Sequence, residues 1–259
     1  MNVALIQMDI ALGDVAANQK KALAMIENGL RAGAKIFVLP EMWTTGYKLG
    51  EIDKLGEPDN GPSIQLLKAV AKQNKVEIIA GSIAEKDGGK VYNTSYAIGR
   101  DGSVLAKYRK IHLSGLANEE KYINAGNCKS IFDLSFGKAG LIICYDVRFT
   151  ELPRALALSG CQALFVPAEW PAVRGKHWLA LNIARAIENQ MFVIAVNRVG
   201  RDESDVFFGH SLVINPWGEV LAEGSEDQEE VITVDVDFAA IADIRKRIPI
   251  FADRRPQYY

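Results

Sequence analysis

Apolar positions recur along the chain with two alternating periods. "NVALIQMD" (2–9) reads as a strand, and in "NQKKALAMIENGLRAG" Leu23, Ile26 and Leu30 share one helical face before Gly33. "KIFVLP" (35–40) is a buried second strand, which completes a β-α-β unit. Pro62 stands where a first helical turn tolerates it, so "NGPSIQLLKAVAKQNK" is predicted as the second helix. "VEIIAGSIAE", "KVYNTSYAIG" and "SVLAKYRK" each read as one strand, joined by the turns "KDGG" and "GRDGS". Beyond a polar loop, residues 139–144 form a strand, followed by a helix in "ELPRALALSG" and a strand in "QALFVP". A third long helix in "KHWLALNIARAIENQ" precedes the strand "MFVIAVNRV". "HSLVINPWGEVLAE" is a hairpin turning at 216–218, and "EVITVDVD" is a last strand before a short helix. The alternation predicts an α/β fold with a mixed sheet, or two sheets face to face with helices outside.

The bulk of the chain narrows the function classes. Its 259 residues are 49% hydrophobic, and no linker, repeat or charge block divides them, so residues 1–259 are expected to form a single domain. Thirty basic and 32 acidic residues are mixed along the chain, for a net charge of −2. That gives no electrostatic case for a nucleic-acid or membrane partner. The first residues lack signal-peptide character, and no apolar run approaches the roughly 20 residues of a spanning helix. Three cysteines (128, 144, 161) without paired spacing fit free thiols in the cytoplasm. The three histidines lie far apart, so neither a metal site nor a cofactor is expected.

Three strand ends carry candidate chemistry. In "GKAGLIICYDVRFTELPR" (137–154) an apolar run ends at Cys144, just before Asp146 and Arg148. "KIFVLPE" places Glu41 after a buried strand, and "SVLAKYRKIHL" ends a hairpin strand in Lys107, Arg109 and Lys110. Alternation puts Lys107 and Arg109 on one face and Tyr108 with Lys110 on the other, where one member of the second pair can point inward. Singly, each has a plain structural reading: a buried Cys is a small hydrophobe, a Glu after a strand a solvated turn residue, a hairpin Lys solvent-facing. Together they supply what acyl transfer without histidine requires. A thiol of pKa about 8.5 needs a base to take its proton, and a developing oxyanion needs a fixed positive charge.

"LPEMWTTGY", "YRKIHL" and "CYDVRFTELPR", in that order, resemble the three signatures of the nitrilase superfamily of carbon–nitrogen hydrolases. Further likeness runs through "NEEKYINAGN", "ARAIENQMFVIAVNRVG" and "GHSLVINPWGEV", so the resemblance covers nearly the whole chain. It implies a four-layer α-β-β-α sandwich with mixed sheets, paired as a homodimer or higher homo-oligomer. By position it also implies a catalytic set of Glu41, Lys110 and Cys144. A second glutamate falls on Glu119 or Glu120, and the spacing to "AGN" favours Glu119. The backbone N–H of Tyr145 would join Lys110 at the oxyanion.

The segment "VPAEWPAVRGKHW" (166–178) bears on the substrate. Arg174 offers a two-pronged partner for a substrate carboxylate, and Trp170 a pocket wall; solvated and packing roles for the same residues stand beside these. Trp178 reads as a packing residue. The segment is similar to the omega-amidase branch, which implies a small-molecule amide substrate carrying a carboxylate, such as 2-oxoglutaramate. N-carbamoyl (ureido) substrates, small aliphatic amides and a non-catalytic binding member are the alternatives. A Cys–His protease would need a histidine such as His112 beside the thiol. Asp146 and Arg148 are expected to organise the turn after Cys144, while Arg185 and Glu188 tie their helix to neighbouring loops. Cys128 and Cys161 read as passive. "KRIPIFADRRPQYY" resembles a family tail that packs across subunits.

Overall fold

The computed structural model describes residues 1–258. Two sheets carry the fold. The first runs Glu230–Asp235, Asn2–Gln7, Ile36–Val38, Glu77–Ile79, Lys90–Ile98, Ile83–Asp87 and Glu57–Pro58, with Val104–Arg109 also paired to Lys90–Ile98. The second runs Val220–Glu223, Leu212–Ile214, Phe192–Asn197, Ala163–Ala168, Gly137–Leu141 and Ser130–Leu134. Both mix parallel and antiparallel pairs.

The layering follows from which faces must be dry. Asn2–Gln7 is buried on both sides, so its residues are apolar in succession rather than alternating with polar ones. Val3 and Leu5 pack between the sheets, where Val38 and Leu141 join the same cluster. Ala4 and Ile6 point the other way, beneath Met25, Ile26, Ile64 and Leu67 of the Val15–Arg31 and Pro62–Asn74 helices. On the far side, the Glu151–Leu158 and Gly175–Asn189 helices cover the second sheet through Leu152, Leu156, Trp178 and Ala186. The result is the four-layer α-β-β-α sandwich. Asn2–Gln7 is antiparallel to Glu230–Asp235, and Gln7 adds side-chain bonds to the Ser211 N–H and the Ser225 carbonyl. Among the described residues no helix is long and apolar enough to cross a membrane.

Several elements differ from the sequence reading. "VEIIAGSIAE" is two strands, Glu77–Ile79 and Ile83–Asp87, broken at Gly81. Gly81 has φ +58°, and a Cβ there would stand 2.0 Å from the Pro40 carbonyl oxygen, so the strand yields to the chain crossing it. The strand expected over 139–144 ends at Leu141 because Ile142 and Ile143 lead into a turn. The polar loop before it contains the strand Ser130–Leu134, whose Ser130, Phe132 and Leu134 are buried in alternation.

Candidate active site

The break at Gly81 makes room for the turn that carries Glu41. Ser82 donates its N–H to the Pro40 carbonyl and accepts the Met42 N–H on its hydroxyl. Met42 itself sits at φ +43°, a left-handed conformation uncommon for a side chain of its size. The turn leaves Glu41 fully buried. Its Oε1 accepts from Lys110 Nζ at 2.9 Å, Asn93 Nδ2 at 2.8 Å and the Tyr47 hydroxyl at 2.6 Å. Its Oε2 accepts the Glu169 N–H at 2.8 Å.

Lys110 follows the strand Val104–Arg109, and its backbone is clamped by Asn93 and Gly126. A Cβ on Gly126 would lie 2.1 Å from the Arg109 carbonyl oxygen, so that approach requires glycine. Tyr108 and Lys110 both point inward. The opposite face is engaged too, since Lys107 and Arg109 bind the buried Glu85 at 2.8 Å each. Lys110 Nζ lies 2.8 Å from Oε1 of Glu119, which is fully buried while Glu120 is exposed. The Tyr47 hydroxyl touches the Glu119 carboxylate as well as Glu41. It has one hydrogen to give, so it serves one acid at a time.

Cys144 opens a short 3-10 helix, Cys144–Arg148, at φ +45°. The strained turn is held by Asp146. Its Oδ2 accepts the Ile143 N–H at 2.9 Å and the Tyr108 hydroxyl at 2.6 Å. Its Oδ1 accepts the His112 N–H and pairs with His112 Nδ1, which ties the chain beyond Lys110 to the cysteine turn. His112 is thereby occupied by Asp146 and stacks on Phe149, an arrangement that gives a Cys–His pair no support. Cys144 is 7% exposed, and its Sγ lies 3.9 Å from the Glu169 carbonyl oxygen. Burial, followed by the Glu41 charge, pushes the thiol well above its ordinary value against the pull of Lys110. Burial opposes the Lys110 charge, but Glu119 and Glu41 outweigh it and hold the ammonium well above its usual range.

Cys144, Lys110 and Tyr47 line a cavity of about 340 Å³, and Glu41 and Glu119 hold Lys110 and Tyr47 from outside that lining. Tyr145, Trp170 and Arg174 line it, as does Arg148, for which a turn-organising role was expected. Arg148 lies with its guanidinium 4.5 Å above the Trp170 ring, and burial lowers its affinity for a proton. Trp170 donates its indole N–H to the Arg174 carbonyl at 2.9 Å. Trp178 is fully buried and bonds the His210 carbonyl, consistent with packing. Arg185 joins its helix to the cysteine loop through the Val147 carbonyl. Cys128 is exposed and Cys161 lies in the core. Sequence reasoning missed Tyr47, Asn93, Glu169 and Arg198. Tyr47 and Glu169 stand inside the stretches already singled out, six residues after Glu41 and one before Trp170.

A sandwich that brings a buried thiol and an ammonium to the wall of one cavity, with two carboxylates bonded to the ammonium, defines a class: thiol-dependent hydrolases of carbon–nitrogen bonds. The chain belongs to the carbon–nitrogen hydrolase family, whose model matches residues 2–246. It is 42% identical to the 2-oxoglutaramate amidase of Bacillus subtilis over 257 residues, 99% of this chain and 98% of that protein. Identity to the omega-amidase of Homo sapiens is 39% over 266 residues, covering 99% and 96%. A Xanthomonas campestris member of the superfamily, solved with an arsenic adduct in its active site, superposes with a TM-score of 0.91. That match covers 98% of this chain and 97% of the other, at 30% identity.

Proposed function

We propose that the chain hydrolyses the terminal amide of a small carboxylate-bearing substrate, such as 2-oxoglutaramate, through a thioester on Cys144. The observation that carries this reading is the Glu41–Lys110–Glu119 cluster beside Cys144, with Lys110 and Cys144 lining a cavity walled by Arg148 and Arg174. The identities to the Bacillus and human amidases support the substrate class.

Two carboxylates and one ammonium surround the sulfur, so a resting thiolate would add negative charge to a dry site that already has an excess of it. The thiol therefore keeps its proton until substrate arrives. Glu41 then takes that proton as the sulfur attacks the amide carbon, and the charge moves onto the amide oxygen beside Lys110. The Tyr145 N–H, in the first turn of the 3-10 helix, adds a second donor to this oxygen. Each such donor is worth about 3 kcal/mol in the transition state. Glu41 returns the proton to the departing nitrogen, ammonia leaves, and the acyl group stays on sulfur. Glu41 next deprotonates a water that attacks the thioester, releasing the acid and restoring the thiol. Glu119 holds the Lys110 ammonium in place throughout. Arg148 and Arg174 hold the far carboxylate, with the stacked Trp170 fixing Arg148.

The test combines a coupled ammonia assay with mass spectrometry of quenched enzyme. Hydrolysis of 2-oxoglutaramate well above that of a neutral aliphatic amide, with an acyl adduct on Cys144, is expected. Full activity in Cys144→Ala would sink the mechanism, and equal rates on the two amides would sink the carboxylate clamp. The same reading makes the protein a cytoplasmic homo-oligomer, with Leu179 and Ile187 exposed on one stripe of the Gly175–Asn189 helix as the apolar contact.

A further inference from the structure

Glu169 lies in the cavity wall, and the reaction just described uses only its backbone. Its N–H holds Glu41, and its carbonyl is 3.9 Å from the nucleophilic sulfur, so its side chain starts next to the reacting centre. The residue is 5% exposed and its side chain is fully buried. Oε2 accepts from Arg198 Nη1 at 3.2 Å. Oε1 is buried and has no hydrogen-bond partner among the described residues. Arg198 cannot swing across to serve it, because its Nε is bonded to the Val199 carbonyl and its Nη2 to Asp9 and the Ile10 carbonyl.

A buried carboxyl oxygen left without a partner is costly, and a bound ligand can supply that partner. The charges facing Glu169 decide what that partner is. Arg198 lies on one side; Glu41 and Asp202 lie near enough to repel it. Lys110, Arg148 and Arg174 line the same cavity. Burial first, then Glu41 and Asp202, outweigh Arg198 and push the Glu169 acid up to about 8. Near pH 7 the side chain is thus mostly a neutral acid. Arg198 donates to Oε2, which leaves the proton on Oε1, as a donor with no acceptor in the protein.

We infer that Glu169 is a specificity-determining residue whose buried, unpartnered Oε1 bonds an oxygen on the bound acyl chain. This rests on the amidase reading above. There the amide oxygen is taken by Lys110 and the far carboxylate by the two guanidinium groups. The oxygen that remains on a 2-oxo acid amide is the 2-oxo group. A site built around such a bond discriminates strongly against the analogue that lacks the oxygen, because the buried donor is then left unpaired.

Calorimetry on catalytically silent Cys144→Ala protein tests this without turnover, using 2-oxoglutaramate and glutaramate at pH 7 and pH 9. At pH 7 the 2-oxo ligand should bind about tenfold tighter or better. At pH 9 only about a tenth of the Glu169 acid remains protonated, so its Kd should rise about tenfold while that of glutaramate moves far less. Adding Glu169→Gln keeps a donor that does not titrate. The preference should survive and the alkaline loss should vanish. Equal affinity for the two ligands overturns the inference, as does an unchanged Kd at pH 9 or an alkaline loss that persists in Glu169→Gln. Those results leave the amidase reading standing, whereas failure of both ligands to bind retires the two together.

Discussion

Around Cys144 the neighbouring charges are Glu41, Glu119 and Lys110, and the sulfur responds to their sum. Removing one carboxylate shifts that sum toward the ammonium. In Glu41→Gln the thiol should therefore titrate at lower pH than in the native protein, read from pH-dependent alkylation of Cys144 or thiolate absorbance. The same variant should lose about a thousandfold in kcat/KM, because the proton acceptor is gone. A more ionised yet less active cysteine separates charge from proton transfer; a thiol that titrates higher in Glu41→Gln contradicts the assignment. That Glu41, Lys110 and Cys144 end apolar stretches is legible in the order of residues. The role of Tyr47 is not, because a tyrosine in a turn has no periodic signal and its two acid partners are 6 and 72 positions away. The Glu169–Arg198 pair is hidden for the same reason, its members being 29 positions apart.

The strand Val104–Arg109 delivers Lys110, and its outer face is fastened by one buried acid. Burial works against the Glu85 charge, but bonds from Arg109, Lys107 and Thr94 outweigh it and hold the carboxyl down at about 2, from an ordinary 4.5. A carboxyl lowered by folding stabilises the native state above its unfolded value and loses that contribution as pH falls through its folded value. Urea unfolding should show stability falling between about pH 4.5 and pH 2. Glu85→Gln should be less stable at pH 7 and show a shallower acid decline; a slope as steep as the native one would rule out this source. The long helices and central strands were legible because each repeats its pattern over many residues. The short pair Val199–Arg201 and Val206–Phe208 was not, since three residues establish no period. Nor was the break at Gly81, because it is imposed by the Pro40 carbonyl crossing from another strand.

For the molecule as a whole, the helices that seal the second sheet leave Leu179 and Ile187 in solvent, at 39% and 48% exposure. Light scattering should report a particle of at least twice the 28.4 kDa chain, and Ile187→Asp should shift it toward the single chain. A native protein of one-chain mass would remove the homo-oligomer from the reading. The layered architecture followed from alternating periods together with the family signatures, whereas the order of strands within each sheet came only from the coordinates. One consequence of that order concerns synthesis. Asn2–Gln7 lies between Ile36–Val38 and Glu230–Asp235, one of the earliest strands and the last. On the ribosome, the thiol and its partners emerge long before residues 230–235, so the nascent chain waits with a central strand one neighbour short.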